Sequence, residues 1–356
     1  MARSLHLIPY GETMNSEQIL IGAAIGTAIG DSLGLPREGL SPSRSQKLYG
    51  AQIEHRFLFG RGVVSDDTEH TLLVLQALAL HGANADDFGI DLSRRLRWWL
   101  ASLPTGIGFG TLRALTKSWF GFGPKRSGVQ SAGNGPAMRS AVIGIYCATN
   151  GIEPDDLCEA STLITHTDQR AVEGALAVAK CAQIAATANN ISSEAVVKML
   201  IETCRHSAWN STLEPMLKSL KSNVSTQEFA SNIGLQNGVT GYIVHSVPVA
   251  IYAWLRHPEN ARQALTEIIS AGGDSDSTAA VTAALVGCRV GEENFPSQWR
   301  TGIADWPLTL VLLRSAAKAA LADTPPPSLP VSFMLIRNLV TLPIIVAHVF
   351  NHWRPW

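Results

Sequence analysis

The chain has 356 residues, enough for one large domain or two ordinary ones with a substantial buried core. Hydrophobic residues make up 46% of it and charged ones only 16%, which excludes a disordered chain and a solvated coiled coil. A formal net charge of -1 removes bulk attraction to nucleic acid or anionic lipid, and five cysteines without paired spacing argue against a disulfide framework and a thiolate zinc site.

Residues 1–18 read as a loose leader without the continuous apolar run of a secretory signal, so a cytoplasmic protein is expected. Ile19 to Gly34 is rich in Gly, Ala and Ile and reads as a helix that passes close to its neighbours. Its glycines make it intrinsically weak, so packing must hold it, and Pro36 ends it. Leu72 to Leu80 closes on His81-Gly82, a C-cap signature, and Leu92 to Leu100 ends before Pro104. Gly108 to Ser131 breaks the pattern. Its glycines, with Trp119, Phe120, Lys125 and Arg126 among them, read as a long loop, either a surface excursion or a substrate-facing lid.

Helical spacing returns in Ala137 to Ala148, Ala171 to Ala186, Ser193 to Cys204 and Thr226 to Ile233. It continues in Val247 to Leu255, Ala261 to Ile269 and Ala279 to Val286. No alternating run of strand length interrupts these segments, so the expected class is all-α. Thr324-Pro325-Pro326-Pro327 reads as a stiff linker. Beyond it, Val331 to Phe350 is strongly apolar but carries Arg337 and Pro343, with Arg337, Thr341 and His348 on one helical face. A membrane-spanning helix would have to bury that arginine and a kink, so a packed or interface-lying helix is expected. The division that follows is a leader at 1–18, a helical domain at 19–323 and a linker with an apolar helix at 324–356.

Two short acidic stretches stand out, Ser65-Asp66-Asp67-Thr68 and Gly272-Gly273-Asp274-Ser275-Asp276-Ser277. Each precedes a helical run, and an N-cap accounts for either one alone. Capping needs one acceptor, whereas each stretch supplies two acids and hydroxyls. Carboxylate, hydroxyl and water oxygens are the donor set of magnesium or manganese. If the two helix starts face each other they would hold two ions about 3.5–4 Å apart. Glu38 follows the turn Gly30-Asp31-Ser32-Leu33-Gly34-Leu35-Pro36 and would enter such a site as ligand or acid–base. Asp31 would join it or brace the turn. Gly133-Asn134-Gly135-Pro136-Ala137-Met138-Arg139 is an ordinary tight turn or a phosphate cradle. His166, in Thr165-His166-Thr167-Asp168, is a site residue or a structural one, as are His70 and His245.

In this order and spacing the five pieces resemble the ADP-ribosylglycohydrolase family, which includes the dinitrogenase-reductase-activating glycohydrolases, over roughly residues 19 to 320. The resemblance implies an all-α, orthogonally packed bundle whose central cleft holds two Mg2+ or Mn2+ ions. The implied activity is removal of ADP-ribose, Arg- or Ser-linked, from modified proteins. Ser65, Asp66, Asp67, Asp274, Asp276 and Ser277 would be metal ligands, and Glu38 with Asp67 would handle protons. Gly133, Asn134, Gly135, Pro136, Ala137 and Met138 would hold the diphosphate and distal ribose, with His166 lining the cleft. A second reading keeps the fold but makes the protein a binder that blocks a cognate ADP-ribosyltransferase or reads ADP-ribose. Serine replaces the family's usual threonine at 65, 275 and 277, which loosens the rotamers of the hydroxyl ligands. Arginine-directed members often carry an Asp in the loop occupied here by Gly106-Ile107-Gly108.

Overall fold

The glycines of the first helix recur every fourth residue, at 22, 26, 30 and 34, so they form one bare stripe along its side. In the computed structural model, which describes residues 14–57 and 59–352, that stripe is the contact on which the bundle is built. The chain runs α1 Ser16–Gly34, α2 Pro42–Tyr49, α3 Asp66–His81, α4 Ala85–Ala101, α5 Phe109–Trp119 and the single-turn α6 Pro124–Ser127. Next come α7 Ala141–Asn150, α8 Asp155–Leu163, α9 Gln169–Thr187, α10 Ser193–Thr203, α11 Asn210–Lys221 and α12 Thr226–Asn232. The rest is α13 Ile243–Arg256, α14 Ala261–Ser270, α15 Ser275–Val290, α16 Ser297–Gly302, α17 Leu310–Ala322 and α18 Val331–His352. Among the described residues, extended pairing is limited to isolated bridges. The all-α expectation therefore holds.

α1 lies backbone to backbone against α15. A Cβ built at Gly26 would fall 2.3 Å from Ala283 O, at Gly30 2.2 Å from Ala279 O and at Gly34 2.2 Å from Ser275 O. No side chain fits in that space. Glycine's cost in helix propensity is offset by burial, since every residue from Leu20 to Gly34 is buried. The start of α1 is fixed by a capping box in which Asn15 Oδ1 accepts from Gln18 N and Gln18 Oε1 accepts from Asn15 N. Of the expected leader, residues 1–13 lie outside the described residues, while Ser16 already belongs to α1. The crossing has a functional consequence: it brings Asp31 and Gly34, late in α1, beside the start of α15.

Several elements differ from expectation. Of the glycines between 108 and 131, Gly110 lies inside a helix and the others flank helices, so they do not maintain one long loop. α5 buries Thr111, Ala114, Leu115 and Ser118 at helical spacing, and α6 adds a turn after Gly123. α3 begins at Asp66, six residues before its apolar run, because its polar first turn is buried as well. The helices α2, α8, α11, α16 and α17 went unread in the sequence.

Among the described residues, two helical segments are long and apolar enough to cross a membrane by length and composition. Ser16–Arg37 has 94% of its apolar window buried and is a core helix, whereas Val331–His348 has 22% buried. α18 attaches to the core by its polar side: Arg337, Asn338 and Thr341 are buried. His348 Nε2 lies 3.0 Å from Tyr49 Oη and 3.0 Å from Pro36 O. The face expected from Arg337, Thr341 and His348 is thus the packed face.

Candidate active site

Asp31 sits on α1 at the point where the N-terminus of α3 meets it. The first N–H groups of a helix need acceptors, and here α3 takes them from a neighbouring helix. Asp31 Oδ2 accepts from Ser65 N at 2.8 Å and from Thr68 N at 3.2 Å, and it also accepts the Thr68 hydroxyl. Ser65, at the N-cap position, makes no side-chain cap bond, and neither does Asp274 at the N-cap of α15. Capping therefore does not account for either acidic stretch.

The two stretches meet. Ser277 Oγ donates to Asp67 Oδ2 at 3.2 Å and Ser65 Oγ donates to the same oxygen at 3.3 Å. Asn134 Nδ2 donates to Asp274 Oδ2 at 2.6 Å, which ties the glycine loop to the same point. Backbone bonds hold the Asp274 turn in place. Gly39 N donates to Gly273 O at 2.8 Å, Gly273 N to Leu40 O at 2.7 Å and Asp274 N to Val239 O at 2.7 Å. Gly273 has φ +80°, and a Cβ there would fall 1.9 Å from Val239 O, so only glycine permits this junction. Glu38 thereby enters beside Asp276, which shares a hydrogen bond with it and feels its charge.

Six carboxyl groups, from Asp31, Glu38, Asp66, Asp67, Asp274 and Asp276, now share one cleft. Burial, then the charges of Asp67, Glu69, Asp31 and Glu38, push the half-buried Asp66 carboxyl well above its ordinary value. Burial, then Asp31 and Asp274, does the same to Asp67, and burial, then Glu38, Asp274 and Asp67, to Asp276. Burial raises Asp274 too, and it lifts Asp31 to about 6 against the bonds from Thr68 and Ser65. Desolvation, then the charges of Asp274 and Asp31, raises Glu38 to about 7. Its side chain reaches the exposed rim of the cleft.

Among the described residues none of the six is in an ion pair with Lys, Arg or His. Arg139, which feels the Asp66 charge, is fully buried and spends its donors elsewhere. It binds Ser161 Oγ at 3.0 Å, Ser161 O at 2.8 Å, Thr165 Oγ1 at 3.0 Å and His70 Nδ1 at 3.1 Å. Asp67 Oδ1 and Asp276 Oδ1, one from each stretch, are buried with no hydrogen-bond partner. Such a donor set fits hard divalent cations: charge is missing, and oxygens from both stretches point at nothing. Among the described residues no three His, Cys, Asp or Glu side chains surround a common point, so hydroxyls and waters must complete any cation's shell.

The glycine loop is more committed than expected for a phosphate cradle. Gly133 N lies 3.4 Å from Ser131 Oγ, Asn134 N donates to Gly241 O, and Ala137 N and Met138 N both donate to Asn134 O. Gly135 N–H is the loop's one uncommitted donor among the described residues. Ala137 and Met138 are buried next to a small cavity bounded by Asn134, Val247, Ser277 and Val281. His166 stands behind the loop, 3.1 Å from where a Gly133 Cβ would lie. Its Nδ1 lies 2.9 Å from Thr165 Oγ1, and burial with the Arg139 charge pushes its pKa down to about 3. The ring is neutral. Opposite, Gly106 comes within 3.3 Å of Asp66 Oδ1, measured from its would-be Cβ, and Gly110 within 2.9 Å of His166 Nε2. The start of α5 and the loop before it are thus a wall of the cleft.

The sequence did not reveal the support behind α3. Asp305 Oδ2 accepts from Val64 N at 3.0 Å, and Arg337 binds Val64 O, both Asp305 oxygens and Glu69 Oε1. The one available signal was an arginine in an apolar run, which has to find buried acids.

The sequence profile of the ADP-ribosylglycohydrolase family matches residues 13–326. An uncharacterised protein of Archaeoglobus fulgidus is 30% identical over 291 residues, covering 79% of this chain and 90% of its own. ADP-ribosylhydrolase ARH3 of Mus musculus is 27% identical, covering 70% of this chain and 76% of its own. The ADP-ribosyl-[dinitrogen reductase] glycohydrolase of Rhodospirillum rubrum is 24% identical over 78% and 88%. A solved structure titled ADP-ribosylglycohydrolase-related protein complex shares the fold, with a TM-score of 0.64 at 23% identity, covering 87% of this chain and 99% of its own. The chain belongs to the ADP-ribosylglycohydrolase family.

Proposed function

We propose that this protein hydrolyses the bond between ADP-ribose and a modified protein side chain, Arg- or Ser-linked. Its centre is a pair of Mg2+ or Mn2+ ions held by Ser65, Asp66, Asp67, Asp274, Asp276 and Ser277. One observation carries the reading: two acidic stretches far apart in the chain meet at Asp67 Oδ2, each keeps an unpartnered buried oxygen, and no Lys, Arg or His among the described residues forms an ion pair with them. Divalent ions, when bound, supply that missing charge, orient ribose hydroxyls and acidify a water.

The rest falls to the chain's own residues. Asp31 and the Arg337–Asp305 pair fix Val64, Ser65 and the first turn of α3, so Asp66 and Asp67 are presented without reorganisation. Glu38, at the exposed rim of the carboxylate cluster beside Asp276, is placed to take or give a proton as a general acid–base. Asn134 orients Asp274, Gly135 N–H offers a donor to an anionic diphosphate, and neutral His166 borders the ribose end without adding charge. The named relatives from Mus musculus and Rhodospirillum rubrum support ADP-ribosyl conjugates as the substrate class.

The test offers purified protein Arg- and Ser-linked ADP-ribosyl peptides side by side, with magnesium or with EDTA. Free ADP-ribose is expected from one linkage with magnesium and none in EDTA. Asp66→Ala and Asp274→Ala are each expected to lose more than the roughly 10–100-fold that removal of an outer-shell partner costs a metal site. Undiminished release in EDTA would contradict the reading.

A further inference from the structure

The near-zero net charge of the chain conceals a strong local imbalance. Residues 92–152 contain eight Lys and Arg and no Asp or Glu. Arg139 is buried behind the cleft, and Arg94 and Arg95 are paired with Asp91. Lys125 is paired with Asp86. Arg97, Arg113, Lys117 and Arg126 are in no ion pair among the described residues. All four lie on the surface built by α4, α5 and α6, together with exposed aromatic rings. Phe109 is 73% and Phe120 80% exposed, and Trp98, Trp119 and Phe122 are exposed beside them. This surface is continuous with the cleft, because Gly106, in the loop before α5, and Gly110, in its first turn, stand against Asp66 and His166.

We propose that this cationic–aromatic surface docks an acidic segment of the modified polypeptide and so selects which ADP-ribosylated proteins are hydrolysed. The inference rests on the hydrolase reading above and adds the substrate's chemistry to it. Two physical points favour an acidic polypeptide. Unpaired surface cations beside an active site raise the encounter rate and local concentration of an anionic partner. Three of the five rings, Trp119, Phe109 and Phe122, also already carry a cation. Arg97 lies 5.5 Å from the Trp119 ring centre, Arg113 5.7 Å from that of Phe109, and Lys117 and Arg126 5.4 and 5.8 Å from that of Phe122. Rings capped by cations are not free platforms for base stacking, which single-stranded nucleic acid would need. They leave apolar edges and positive charge, which suit carboxylates interspersed with apolar side chains.

The experiment compares wild type with the double variant Arg113→Glu, Arg126→Glu, neither residue being part of the cleft. Substrates are ADP-ribosyl peptides of one linkage flanked by Asp/Glu or by Lys, and the single ADP-ribosyl amino acid. Wild type is expected to show a KM for the acidic peptide about tenfold lower than for the basic one, with the difference shrinking as salt rises. The double variant is expected to lose that difference with kcat unchanged and with the single amino acid hydrolysed as before. Equal KM values for the two peptides in wild type would overturn the proposal. So would a single-stranded oligonucleotide that competes where the unmodified acidic peptide does not. If no conjugate is hydrolysed at all, the hydrolase reading fails. Fluorescence-anisotropy binding of the unmodified acidic peptide, lost in the double variant or absent in wild type, then decides the surface separately.

Discussion

At the residue scale, the site is defined by what its side chains lack. Asp67 and Asp276 each keep one buried oxygen without a partner, and Arg139 commits its guanidinium to Ser161, Thr165 and His70. An isolated buried anion costs several kcal/mol, so six acids persist together only with protons or cations. His166 is the complementary case. It is buried next to Arg139 and stays neutral, with its pKa pushed down to about 3. The sign follows from linkage. Unfolded chain takes up a proton on this imidazole near its ordinary pKa of about 6.5 and folded chain does not, so the group's contribution is lost as pH falls below that value. The difference in unfolding free energy between wild type and His166→Gln is therefore expected to be flat above neutrality. It is expected to move in the variant's favour as pH drops through about 6.5 toward the folded pKa. Urea unfolding at a series of pH values measures this, and a pH-independent difference would show that the imidazole is not held neutral by burial.

At the element scale, two contacts decide where α3 and α15 start. The first is the α1–α15 crossing. Gly30→Ala forces a Cβ to 2.2 Å from Ala279 O, with no flexible side chain to yield. It is expected to cost at least the roughly 1–3 kcal/mol of an overpacked core, and to depress activity by moving neighbouring Asp31 off the head of α3. Denaturant unfolding measures the first effect, and an unchanged midpoint would mean that the helices can separate freely. The second contact is α18. Arg337→Met leaves Glu69 and Asp305 buried without their cation, at an expected cost of about 3–5 kcal/mol. A loss under about 1 kcal/mol in the same assay would mean that α18 is not anchored through this pair. Both contacts were only half legible in the sequence. The glycine spacing announced a close approach, but the partner helix lies some 250 residues further on. Arg337 announced a buried charge, but its acids sit at 69 and 305.

At the scale of the whole molecule, the helical class followed from local residue patterns, whereas the meeting of the two acidic stretches was a conditional expectation that neither stretch alone supported. Each acidic stretch precedes an apolar run, and each hydroxyl and carboxylate stands at a helix start. Segments whose apolar spacing was diluted by glycine or by polar residues, α5 above all, were misread as loop. Their burial comes from tertiary packing and not from their own periodicity. The committed backbone donors of the Gly133–Met138 loop were likewise invisible, because their acceptors come from Ser131 and Gly241 as well as from the loop itself. The basic surface near the cleft was hidden by the balance of charge over the full chain. The claim beneath all of this is that the convergent oxygens hold divalent cations. Counting Mn2+ bound per chain by electron paramagnetic resonance, on protein first stripped of metal, tests it most directly. The account predicts two ions on wild type and fewer on Asp276→Asn with the fold intact. Wild type that binds no Mn2+, or binds it as well after Asp276→Asn and Asp67→Asn together, would contradict it.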